Sequence, residues 1–124
     1  MMTDSVPVAV VGCGNMGANH VRVYSEMTGA DLVEVVEPDI ERAAEIRDEY
    51  PDTRVVAAVE ELETATAATV AVPNHEHRTV ALDLLSRDMD VLVEKPLATT
   101  VGEASDIVAA ARDHDAVLQV GHIE

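Results

Sequence analysis

An apolar run of strand length, Val6-Pro-Val-Ala-Val-Val11, leads without a linker into Gly12-x-Gly14-x-x-Gly17, and a helical pattern follows from Asn15 to about Met27. Strand, tight turn and helix in that order constrain this chain more than any other stretch. The first glycine lets the backbone turn sharply, the second lets it approach a pyrophosphate, and the third lets the helix pack on the strand. The free N–H groups and the positive dipole end of the helix then face the phosphates. Glycines alone also fit a turn that binds nothing. Here, however, a second apolar strand ends in Val35-Val36, and Glu37 follows twenty residues after Gly17. An acidic side chain at that place accepts hydrogen bonds from the ribose hydroxyls of a bound dinucleotide.

The rest of the chain repeats the alternation. Leu32 to Glu37 reads as the second strand, and Pro38-Asp39 opens a helix to about Tyr50, with Asp39 as N-cap and Ile40, Ala43, Ala44 and Arg47 on one face, Arg47 at its edge. Arg54 to Ala57 is a short third strand, and Glu60 to Thr66 is a weakly periodic helical turn. Ala68 to Val72 is a fourth strand, ended by Pro73-Asn74. His77, Val80, Ala81, Leu84 and Leu85 then form a clean apolar helix face. Asp90 to Val93 is a fifth strand, left by Glu94-Lys95-Pro96. Thr100-Val-Gly-Glu103 fits a capping box for a helix carrying Ala104, Ile107, Val108 and Ala111, and Ala116 to Val120 is a sixth strand. Six strands alternating with five helical segments imply one α/β domain over residues 1–124. Its expected form is a doubly wound parallel sheet of order 3-2-1-4-5-6 with right-handed crossovers. Ligands of such sheets bind at the carboxyl ends of the strands, which gathers Gly12, Glu37, Pro73-Asn74, Glu94-Lys95-Pro96 and Gly121-His122 on one edge.

A length of 124 residues allows one core. Aromatic residues make up 2% of the chain, so that core is built from Val, Ala, Leu and Ile. The formal net charge of −16 argues against nucleic acid or an anionic membrane surface as partner. Acidic residues occur in every helical segment, and with small aliphatics and scarce lysine this resembles proteins of salt-loving organisms, where salt screens the repulsion. An acidic protein of ordinary surroundings is the alternative. The single cysteine, Cys13, permits no internal disulfide and fits a reducing cytoplasm. Its place in the glycine turn favours a small packing residue over a catalytic thiol. Met1 to Ser5 is polar and the first apolar run is short, so no signal peptide is expected, and no stretch is long enough for a membrane span.

Lys95 is the only lysine among eight basic side chains. A lysine pKa can be lowered by burial, so Lys95 at the binding edge can donate a proton or hydrogen bond to a substrate oxygen, or it can be a surface residue paired with Glu94. His75, Glu76 and His77 suggest a metal site, but residues two apart at a helix start diverge and no further ligand cluster lies nearby in sequence. His77 is better read as packing or hydrogen-bonding near a cofactor. His122 closes the sixth strand, where it can face the cleft, and His114 with Asp115 reads as a solvated pair.

Gly12-Cys-Gly-Asn-Met-Gly-Ala-Asn-His20, Val-Val-Glu37-Pro-Asp39, Val72-Pro-Asn-His-Glu-His77, Val93-Glu-Lys-Pro-Leu97 and Val120-Gly-His122 together resemble the nucleotide-binding half of the Gfo/Idh/MocA oxidoreductases, the glucose-fructose oxidoreductase and inositol dehydrogenase family. The similarity covers essentially the whole chain, and Glu-Lys-Pro is its most specific part. The resemblance implies an NAD(P)-binding Rossmann fold and hydride transfer to or from a secondary alcohol of a sugar or cyclitol. It implies that Lys95 contacts the reacting oxygen, that Pro96 shapes the turn, often through a cis peptide, and that Pro73 and Asn74 border the nicotinamide side. The expected cofactor-binding set is Gly12, Gly14, Asn15, Met16, Gly17, Glu37, Arg42, Val72, Pro73, Asn74, His77, Glu94, Lys95 and Pro96, with no metal. Glu37 stands where the family commonly has Asp, which still favours NAD over NADP, while Arg42 one turn into the next helix is the argument for NADP. In family members a second domain supplies the substrate pocket and the oligomer interface, and nothing in this chain corresponds to it. The expectation is therefore the dinucleotide-binding domain of a cytoplasmic oxidoreductase with little turnover alone. An NAD(H)-sensing module is the alternative, and a methyltransferase a third reading that the Glu-Lys-Pro element opposes.

Overall fold

The computed structural model describes residues 5–12, 14–94 and 97–121. Six strands, β1 (Val6–Val11), β2 (Ala30–Val36), β3 (Arg54–Val56), β4 (Ala67–Val70), β5 (Asp90–Glu94) and β6 (Leu118–Gly121), form one sheet of order β3-β2-β1-β4-β5-β6. Every pairing is parallel, as the alternation of strand and helix predicts. Four α-helices cross between them: α1 (Asn15–Glu26), α2 (Ile40–Glu49), α3 (His77–Ser86) and α4 (Val101–Asp113). Among the described residues, the expected turn over Glu60 to Thr66 is a 3₁₀ turn at Val59–Glu61, and a second such turn at Asn74–Glu76 leads into α3.

Alternation along the strands splits the core into two layers. Ala9, Val11, Val70, Val91 and Val93 pack with Ala81, Leu84, Leu85, Ile107 and Ala111 of α3 and α4. Val8, Val10 and Val35 face the opposite way, with Val21 of α1 and Ala43 and Ile46 of α2. Buried apolar side chains are Val, Ala, Leu and Ile with Met89, the small-aliphatic core expected of a chain with so few aromatics. Beyond α1, a depression on the second face of β4, β5 and β6 is lined by Ala67, Thr69, Leu92 and Gln119, with Val117 just before β6 and Tyr24 of α1 at its side. β6 ends the sheet, with Val117 63% and Val120 46% exposed.

The caps follow the local sequence. The Asp39 carboxylate accepts from the Glu41 amide at 3.3 Å and opens α2. Thr100 Oγ1 accepts from the Glu103 amide at 3.1 Å and opens α4, as the capping box predicts. The return arm differs, because the Glu103 carboxylate takes the Thr99 amide at 3.3 Å and the Thr99 hydroxyl.

The buried face of α2 is Ala43 and Ile46 rather than Ile40, Ala43, Ala44 and Arg47. Ile40 is 83% exposed. The first turn of α2 begins four residues after the end of β2, and Ile40 in it faces solvent. Arg47 does lie at the edge of the face, donating to the Val55 carbonyl at 3.1 Å.

Candidate dinucleotide-binding site

Parallel register brings the strand ends flush. Val11 is opposite Val36 on one side and Val70 on the other, Val70 is opposite Val93, and Glu94 is opposite Gly121. Gly12, Glu37, Ala71-Val72 and Glu94 therefore stand in a row along the carboxyl edge. The Gly12 amide donates to the Val36 carbonyl at 2.9 Å, which ties the glycine turn to the strand that delivers Glu37.

The three glycines have different surroundings. Gly12 has φ +91°, a region costly to other L residues, and a Cβ there would stand 2.9 Å from the Ala71 carbonyl oxygen and 3.0 Å from Val72 Cγ1. A Cβ on Gly17 would stand 2.8 Å from the Gly12 carbonyl carbon and closer still to its oxygen, so α1 is seated directly on the turn. Around Gly14, the N-cap of α1, nothing lies within 4 Å of a Cβ. The turn is sterically closed toward the protein and open at the helix N-terminus. That is the arrangement a pyrophosphate requires, with free N–H groups and the positive helix end exposed to it. The residues present thus fit a dinucleotide.

Glu37 sits half-buried at the rim, its carboxylate accepting from the Asp39 amide at 2.9 Å. Arg42 is paired with Glu45 at 3.1 Å. Pro73 and Asn74 are exposed where β4 gives way to α3. Cys13, Lys95, Pro96 and His122 lie outside the described residues, as do the side chains of Asn15 and Met16. Among the described residues no group of three or more His, Cys, Asp or Glu side chains is placed to hold a metal ion, and His75 is exposed beside Glu76 at 3.8 Å. His114 is paired with Asp88 at 2.9 Å, which corrects the expected pairing with Asp115.

Two buried polar clusters escape a reading by motif. His20 is 1% exposed, and its Nε2 lies 2.6 Å from Glu94 Oε1. Its Nδ1 is buried with no hydrogen-bond partner among the described residues. One turn along α1 the Tyr24 ring stacks on His20, and its hydroxyl meets Thr69 Oγ1 at 2.7 Å. A polar seam thus joins α1 to β4 and β5. His20 and Glu94 each fall in a stretch that carries the family resemblance, but only the i, i+4 spacing of His20 and Tyr24 hints at their shared side of α1.

The second cluster surrounds Glu34, which is fully buried. An irregularity in the β1–β2 pairing places Leu32 opposite Val8 and Glu34 opposite Ala9. The Glu34 carboxylate accepts from the amides of Glu63, Thr64 and Ala65 at 2.9, 3.0 and 2.9 Å and from Arg54 at 2.8 Å. Burial pushes its pKa up, but the three amides and the guanidinium outweigh that and hold it below the ordinary carboxylate value.

On the α3 side, His77 is 2% exposed, with Nε2 3.0 Å from the Val72 carbonyl oxygen and Nδ1 3.3 Å from that of Leu97. Which nitrogen donates depends on the tautomer.

The family model that matches residues 6–122 describes an oxidoreductase family with an NAD-binding Rossmann fold. The chain belongs to the Gfo/Idh/MocA family. An inositol 2-dehydrogenase of Arthrobacter sp. is 34% identical over 113 residues, which is 88% of this chain and 34% of that protein. A 2,7-anhydro-N-acetylneuraminate hydratase of Mediterraneibacter gnavus is 30% identical over 96% of this chain and 32% of its own length. The crystal structure of GenD2 from gentamicin A biosynthesis, in complex with NAD, superposes with a TM-score of 0.89 at 32% identity, covering 98% of this chain and 35% of that one. The chain thus spans about a third of the length of the curated relatives it matches. The fold, the family and NAD as cofactor agree with the expectation from the sequence. No helix among the described residues is long and apolar enough to cross a membrane.

Proposed function

We propose that this chain is the nucleotide-binding half of an NAD-dependent oxidoreductase that moves hydride to or from a secondary alcohol carbon of a sugar or cyclitol. The observation that carries the reading is the open N-terminus of α1 at Gly14, flush with Glu37 on one side and with the strand leading to Glu94-Lys95-Pro96 on the other. The inositol dehydrogenase among the relatives supports the substrate class.

In this reading the amides at the start of α1 hold the pyrophosphate, and Glu37 receives the adenosine ribose hydroxyls and repels a 2′-phosphate. Val72, Pro73 and Asn74 border the nicotinamide. Bound NAD supplies the hydride acceptor. Lys95 holds the substrate oxygen and moves its proton as the carbon is oxidised. The substrate pocket and the oligomer interface belong to a second domain, so this chain alone binds cofactor and turns over little. A salt-loaded cytoplasm, in which the repulsion is screened, would suit a net charge of −16.

Titration calorimetry with NAD(H) and NADP(H) tests the cofactor site, and the expected result is tighter binding of NAD(H). Tighter NADP(H) binding would refute the role of Glu37. Absence of binding by either would refute the site.

A further inference from the structure

We propose that His20 is a positioning residue for the dinucleotide site, holding α1 in the one setting in which the amides of its first turn face the pyrophosphate. The inference rests on the cofactor reading for its purpose and on the contacts of α1 with the sheet for its geometry. Along one stripe of the helix, Gly17 is seated on the Gly12 turn and Val21 is buried with Val8, Val10 and Val35. Residues four apart lie one above the other on a helix, so these contacts form a single line. A helix held along one line can still roll about its axis. His20 and Tyr24 form a second stripe, turned about 100° from Val21. His20 Nε2 meets Glu94 Oε1 at 2.6 Å at the end of β5, and the Tyr24 hydroxyl meets Thr69 Oγ1 at 2.7 Å in β4. Two stripes on different strands fix the roll as well as the height of α1.

On that flank, side-chain bonds do what a neighbouring helix does elsewhere. Among the described residues α3 and α4 pack on the other face, and the depression over β4, β5 and β6 lies open beside Tyr24. Of the two bonds, the one from His20 stands nearer the phosphates. His20 lies about 7 Å along the axis from Asn15, and Glu94 is opposite Gly121 on the edge that carries the Gly12 turn. A roll of about 20° would carry the first-turn amides sideways by about 0.8 Å at their helix radius. That exceeds the spread of good hydrogen-bond lengths, about 0.5 Å. Packing alone does not call for an imidazole here. A leucine of comparable volume would be buried without desolvating two ring nitrogens, of which Nδ1 has no partner among the described residues. What His20 adds is a directed bond. An ionised carboxylate only accepts, so Nε2 carries the proton and donates it to Glu94.

Calorimetric titration of the 124-residue chain with NAD tests the role, and a long-range 1H–15N spectrum of its histidines without ligand tests the bond. His20→Leu should weaken NAD binding about 10-fold, the worth of one hydrogen bond to a charged group. His20→Gln places an amide donor near the Nε2 position and should bind within about threefold of wild type. Leu84→Val, in the core of the opposite face, lowers the melting temperature without touching α1 and should bind as wild type does. Unchanged affinity in His20→Leu would overturn the proposal. So would a Gln variant as weak as the Leu variant, or an equal loss in Leu84→Val. If His20→Leu does not fold, His20→Asn takes its place, since its shorter side chain stays polar but falls short of Glu94. In the spectrum Nε2 of His20 is expected to carry a proton, and a bare Nε2 would overturn the donation to Glu94. A wild-type chain that binds no NAD would overturn the cofactor reading and this role together, whereas NAD binding indifferent to His20 would overturn this role alone.

Discussion

Gly17→Ala sets two effects of opposite sign against each other. Alanine is the better helix former by about 1 kcal/mol, so at a free helical position the substitution would stabilise α1. Position 17 is not free, because the added methyl would stand 2.8 Å from the Gly12 carbonyl carbon. Carbon atoms rest at about 3.5 to 4.0 Å, so α1 must retreat from the turn by about 1 Å. Overpacking of this kind costs about 1 to 3 kcal/mol, and the obstacle here is backbone that no rotamer change can remove. Taking the upper half of that range, the clash outweighs the propensity gain, and the net loss lowers the melting temperature by about 3 to 10 °C. The shift also moves the amides at the start of α1 away from the pyrophosphate. Losing one charge-assisted hydrogen bond, worth about 1.5 to 3 kcal/mol, weakens NAD binding about 10- to 100-fold. Gly14→Ala is the companion, since nothing lies within 4 Å of its Cβ and its φ of −75° suits alanine. It should cost at most about 1 kcal/mol of stability as a poorer N-cap while still weakening NAD binding through crowding of the phosphate. Differential scanning fluorimetry and calorimetric titration on both variants measure the two quantities. A Gly17→Ala protein melting at or above the wild-type temperature would refute the close seating of α1.

Three further outcomes are expected. The melting temperature should rise from low salt to molar KCl by more than the ~4 °C that about 1 kcal/mol produces in a domain of this size, because the Debye length falls from about 30 Å at 0.01 M to about 3 Å at 1 M; an unmoved melting temperature would remove the argument from charge. Glu34 has a folded pKa below its unfolded value, so its contribution is fully present above about pH 4.5 and is lost as the pH falls through the folded pKa. Glu34→Gln should cost about 2 to 3 kcal/mol at pH 7 and flatten the acid limb of a urea-stability profile, and an acid limb as steep as wild type would contradict that anchoring. Lys95→Met should leave NAD affinity of the domain within about twofold, yet lower turnover of a fusion with a relative's second domain by about 10²- to 10⁴-fold, as loss of a general acid does; lost affinity with an active fusion would favour a sensor instead.

What was legible in the sequence was whatever local spacing encodes. Gly12, Gly14 and Gly17 carry their roles in their order, and the strands are set off by Gly, Pro and Asp breaks, so topology followed from alternation and the handedness of crossovers. The capping residues Asp39 and Thr100 were equally local. The α2 face differs from its spacing because helical periodicity fixes an angle around the axis and not which turns are covered by the sheet, and the first turn, with Ile40 83% exposed, is not covered. His20 and Glu94 are 74 residues apart and meet only when α1 lies across β5. Glu34 looks like the solvent-facing member of an alternating strand. The irregular pairing at Val8 and Ala9 sets it opposite Ala9 instead of one residue later in the regular register, and irregular pairing has no composition of its own.

The two edges of the sheet are defended unequally. β3 has three residues, and Arg54 on it is tied to Glu34 and Glu63. β6 and the residue before it present exposed Val120 and Val117 beside an outer row of backbone amides and carbonyls, the kind of margin on which a second chain can add a strand. In dilute buffer, mutual repulsion between molecules of charge −16 keeps those margins apart. Salt that relieves strain within each molecule removes that barrier between molecules as well. Colloidal behaviour and conformational stability therefore respond to salt in opposite directions, and a purified preparation of this domain has a window of ionic strength in which it is folded yet still dispersed.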